Sequence, residues 1–88
     1  MDLRAARADP ARTDARMLDR AEGVLIALRG CTTDAAFKEI VSASKRHRVP
    51  TLGVAAALVA LAQDSSLDDD ATAAARYEWG PLLEQVRR

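Results

Sequence analysis

Few residues in this chain of 88 could do chemistry of their own, and their placement decides what kind. The single histidine, His47, lies between Arg46 and Arg48 at the expected end of a helix, where a cation is favoured by the negative helix terminus. The single cysteine, Cys31, follows Gly30 just ahead of an expected helix start, a place that can lower a thiol pKa. No base neighbours it, so it reads as a small residue filling the corner between two helices. No Gly-x-Ser-x-Gly, His-Glu-x-x-His or Gly-rich phosphate loop occurs, and no Cys/His cluster has metal-ligand spacing. The sequence therefore predicts no enzyme, no catalytic residues, no cofactor and no metal.

Cations offer binding chemistry instead. Arg12, Arg16 and Arg20 stand at i, i+4 and i+8, on one side of a helix, with Gly23 beside them. A helix-interior glycine costs up to about 1 kcal/mol relative to alanine, which suggests close approach by a nucleic-acid backbone or another helix. Asp14, Asp19 and Glu22 interleave with these arginines, so the same face also reads as an ordinary solvated surface of mixed charge. Lys45-Arg46-His47-Arg48 is the densest positive cluster, suited to phosphates and equally to a helix C-terminus. Tyr77 and Trp79 could stack on unpaired bases, but in a chain so poor in aromatics they are assigned to the core. Thirteen Lys plus Arg balance thirteen Asp plus Glu, so binding to a polyanion requires a local patch rather than overall charge.

The elements that must position these groups read as helices throughout. Ala, Leu, Val and Ile supply most of the apolar residues, with one Phe, one Tyr and one Trp. Met17, Leu18, Ala21, Val24, Leu25 and Leu28 recur at spacings of three and four, predicting a first helix over residues 13–30. Thr32 is a good N-cap for a second helix that ends near His47, with Ala36, Phe37, Ile40, Val41, Ala43 and Ser44 inward. Val49-Pro50 breaks it, and Thr51 is expected to cap a third helix over 52–63 that carries no charge and so needs cover on several sides. Asp68-Asp69-Asp70 signals a further helix start, with Gly80-Pro81 expected to end that helix and open a last short one. Tyr77, Trp79, Leu82 and Leu83 could cover the third helix within one chain or in a second copy.

The expected organisation is a flexible lead-in over residues 1–12, a three-helix unit over 13–63 and a helical extension over 64–88. Residues 1–20 hold no apolar run, no segment is long enough to span a bilayer, and the lone cysteine fits a reducing cytoplasm.

Ala21-Glu22-Gly23-Val24-Leu25-Ile26, then Gly30, Thr32, Ala36 and Phe37, then Val54, Ala55, Leu58 and Val59, together resemble the ANTAR domain in one ungapped stretch. That family comprises three-helix RNA-binding modules of bacterial transcription antiterminators. The resemblance implies an all-α, three-helix ANTAR-like bundle with an added short helical C-terminal segment, in a stand-alone and divergent member. It implies a regulator that binds hairpin RNA and so lets transcription proceed. Glu22 stands where the family usually carries Lys or another polar residue, while Leu28 and Val41-Ser42 replace frequent basic positions. An acid beside phosphate repels it, so the expected RNA-binding set shifts to Arg16, Arg20, Arg29, Lys38, Lys45 and Arg46. The alternative is a non-catalytic interaction or dimerisation module that keeps the scaffold, binding a protein or a second copy through the third helix and the C-terminal segment. DNA reading by the third helix is discounted, because residues 52–62 offer no polar side chain to base edges.

Overall fold

Local start and stop signals explain most of the helix boundaries. The computed structural model describes residues 10–65 and 68–87. Among them are four helices and no strand: α1 (Pro10–Arg29), α2 (Thr33–His47), α3 (Thr51–Ala62) and α4 (Asp70–Arg87). Helix α1 begins three residues earlier than the apolar spacing predicts. Pro10 takes its first position, where a missing amide hydrogen costs no helical bond. The remainder of the expected lead-in, residues 1–9, lies outside the described residues. At the other end Gly30 adopts φ +67°, a left-handed conformation that glycine enters without a Cβ penalty, and its N–H donates to Ile26 O at 2.8 Å.

Thr32 caps α2 as expected, its Oγ1 accepting from the Ala35 amide at 3.1 Å. Thr51 does not cap α3. It is the first helical residue, Pro50 holds the cap position with no side-chain bond, and the Thr51 hydroxyl donates to Ser44 Oγ at 3.1 Å. Ser44 in turn donates to Val49 O at 2.7 Å, so two hydroxyls tie the α2–α3 corner and satisfy a buried serine. Asp69 does the capping for α4, Oδ1 accepting from the Thr72 amide at 2.8 Å.

The uncharged α3 is the hub, touching α1, α2 and α4. Its Val54, Ala55 and Leu58 are wholly buried against Ala21 and Leu25 of α1, Ala36, Ile40 and Ala43 of α2, and Ala75 and Trp79 of α4. Small residues let the axes come close: a Cβ on Gly53 would lie 3.7 Å from Ala71 Cβ. Beside that contact a groove of about 460 Å³ runs along Gly53, Ala56, Ala60 and Thr72. Phe37, expected inward, is 41% exposed, since the buried stripe of α2 is the narrower one of Ala36, Ile40, Ala43 and Ser44.

The C-terminal segment is one helix rather than two. Pro81 sits inside α4, where it removes the amide that would bond the Tyr77 carbonyl. Trp79 before it and Leu83 after it are both buried in the same core, which holds the axis continuous across the break.

Candidate nucleic-acid interface

The six cations expected to bind RNA fall into two groups. Arg16 and Arg20, on the outer side of α1, and Lys45, in the last turn of α2, are exposed and make no ion pair among the described residues. Arg12 belongs to the same α1 series, but its side chain lies outside those described. The other three already have anionic partners. Lys38 meets Asp34 at 3.1 Å one turn away, with both side chains about three-quarters exposed, a pair too solvated to hold either tightly. Arg29 bonds Glu39 through Nε at 3.0 Å and a terminal nitrogen at 2.9 Å. Arg46 grips Glu78 with two bonds, 3.1 and 2.8 Å, in the fork geometry that suits a carboxylate.

Glu39 and Glu78 are the groups that sequence reasoning missed. Glu39 Oε2 also accepts from Trp79 Nε1 at 2.6 Å, joining α1, α2 and α4 at one oxygen. Glu78 Oε2 accepts from His47 Nε2 at 2.8 Å as well as from Arg46, so its side chain, only 13% exposed, carries the α2–α4 junction. The Arg46 bonds hold the Glu78 carboxyl below the usual carboxylate range, opposed by burial and reinforced by His47. No signal in the sequence could have paired these groups, because their partners lie ten to forty positions away.

One residue of the family motif and one on α4 change meaning in the structure. Glu22 is only 8% exposed and turned toward the bundle, one turn from Leu18 and Leu25, so it does not stand among the outer arginines. Burial, with Asp19 adding to it, raises its carboxyl above the usual value. Gly23 does face outward beside Arg16 and Arg20, and a Cβ there would meet nothing within 4 Å. Trp79 is wholly buried, whereas Tyr77 is 78% exposed and meets His47 edge-to-face, ring centroids 5.4 Å apart. Two positions on a helix turn through about 200°, so an inward Trp79 sends Tyr77 outward once α4 is known to be continuous.

Leu28 and Val41 are half-buried, Leu28 packing against the core. The apolar character of Leu28 therefore serves the bundle. Val54, Ala55, Leu58 and Trp79 are covered within the chain, whereas Leu52, 37% exposed, and the groove along Gly53, Ala56 and Ala60 leave part of the α3 surface used by the dimerisation reading open. Among the described residues no helix is long and apolar enough to cross a membrane, and no three or more His, Cys, Asp or Glu group as a metal site.

An all-α bundle that carries exposed cations without an ion pair among the described residues has the make-up of a small helical binding module. The family model of the ANTAR domain matches residues 6–59, more than half of the chain, and the chain belongs to the ANTAR domain family. At that level it is an RNA-binding regulator of the antitermination class. The match ends before α4, so Tyr77, Glu78 and Trp79 lie beyond it. No curated protein and no solved structure matches the chain.

Proposed function

We propose that this chain regulates transcription antitermination by binding a hairpin RNA, with Arg16 and Arg20 of α1 and Lys45 of α2 contacting the phosphates. The observation that carries the reading is the division of the cations. In a chain of zero net charge these three are exposed without an ion pair among the described residues, whereas Arg29 and Arg46 are committed to Glu39 and Glu78. A free cation releases counterions from RNA on contact; one already paired gains less from the exchange. The inward turn of Glu22 supports the same reading, since it takes an acid away from the arginine face.

The test is an electrophoretic titration of a hairpin RNA at two salt concentrations. Arg20→Ala and Lys45→Ala should each weaken binding several-fold and reduce the salt slope by about 1. Arg29→Ala should instead lower stability with little change in the slope. Equal, salt-insensitive binding by all variants, or no preference for the hairpin, would overturn the assignment.

A further inference from the structure

Tyr77 is the most exposed large apolar side chain among the described residues, at 78%, and it lies on a helix whose other aromatic residue, Trp79, is fully enclosed. Its ring is braced. His47 meets it at an interplanar angle of 65°, and His47 is itself fixed by Glu78, which the two Arg46 bonds hold in turn. An edge-to-face neighbour occupies one side of a ring and leaves a face open, and a ring already held in place loses little freedom when something stacks on it.

The neighbouring end of α2 carries a free cation: Arg48 follows His47 directly and is exposed without an ion pair among the described residues, whereas Lys45, two positions before His47, turns about 200° away from it. Arg48 occupies a left-handed conformation, φ 56°, at the helix C-cap, a place that glycine or asparagine takes more readily. The nearby acid, Glu78, has both oxygens engaged by Arg46 and His47. An exposed ring with a free cation one residue from its bracing histidine and the Glu78 carboxylate neutralised suits an unpaired base and a flanking phosphate.

We propose that Tyr77, braced by His47, is a stacking platform for one unpaired base of the bound RNA, with Arg48 holding an adjoining phosphate. This site is contributed by α4, outside the stretch matched by the family model, and it rests on the reading that the chain binds hairpin RNA. It assigns α4 a part in recognition as well as in folding: the helix would select RNA with an accessible base over a continuous duplex.

The probes are a hairpin with one 2-aminopurine in its loop and a blunt duplex of the same stem sequence, titrated with full-length protein. Wild type should quench the 2-aminopurine fluorescence and prefer the hairpin. Tyr77→Ala should abolish the quench and weaken hairpin binding roughly tenfold or more, leaving duplex binding unchanged, while Tyr77→Phe retains both. Because Tyr77 is exposed, the variants should melt as wild type does, with Trp79 fluorescence reporting an intact core. Hairpin binding and quench by Tyr77→Ala equal to wild type would overturn the platform while leaving the RNA reading in place. Failure of wild type to bind either probe would overturn the RNA reading, and the platform with it.

Discussion

Single carboxylates do unlike work in this molecule because their surroundings differ. Glu78 gains from ionisation: its carboxyl lies below the usual 4.5, so the stability it contributes is present above that value and is lost as pH falls through the lower, native one. Glu22 has the opposite sign. Burial raises its carboxyl above 4.5, the native state binds the proton more tightly than the unfolded chain, and stability falls as pH rises through that window. Among the described residues no buried side-chain oxygen or nitrogen lacks a partner, so the Glu22 carboxyl reaches solvent over a buried stem. Glu22→Gln removes the charge that burial penalises. Urea unfolding should show the variant more stable than wild type at about pH 7, with the difference fading toward about pH 4, where the native carboxyl is already protonated. A variant less stable than wild type at the higher pH would mean that the ionised carboxylate has a favourable role in the native state.

Elements here are stabilised where tertiary contacts support them and weakened where they do not. Gly23 interrupts α1 on its exposed face, with open space where a Cβ would go. Gly23→Ala should therefore stabilise the protein by about 0.5–1 kcal/mol, read as a higher melting temperature. The same variant tests close approach from outside. If RNA passes directly over Gly23, the methyl group weakens binding while the melting temperature still rises; if it does not, binding is unchanged. In α4 the balance runs the other way, because burial of Trp79 and Leu83 on either side of Pro81 outweighs the lost amide bond.

At the scale of the whole molecule, α4 completes a core that the family-matched stretch leaves open. Ala74, Ala75, Trp79 and Leu83 close over α3, and Glu39 and Glu78 staple α4 to α1 and α2. Loss of a buried Trp alone costs about 3–5 kcal/mol, against a total of about 5–15 kcal/mol for a typical domain. A chain ending at residue 65 should therefore lose its cooperative thermal transition by circular dichroism. A sharp transition in that shortened chain would show α1–α3 to be self-sufficient.

The helical class, the Thr32 cap, the turn at Gly30 and the inward stripe of α1 were legible in the residues, because each depends on neighbours within one or two turns. The ANTAR signature was legible for the same reason, being carried by small and apolar residues that must recur at helical spacing. The candidate cations could be named from the sequence, yet which of them are free could not. The partners of Arg29 and Arg46 are Glu39 and Glu78, on other helices and as many as 32 positions away. Whether Pro81 ends a helix was equally out of reach, since the outcome depends on core contacts on both sides of it. The sequence by itself determined the first three helices, the Thr32 cap and the family; only the tertiary structure decided that the C-terminal segment is one helix, which charges are neutralised, which way Glu22 turns and which aromatic is left outside, because those depend on surfaces that meet only when the helices pack.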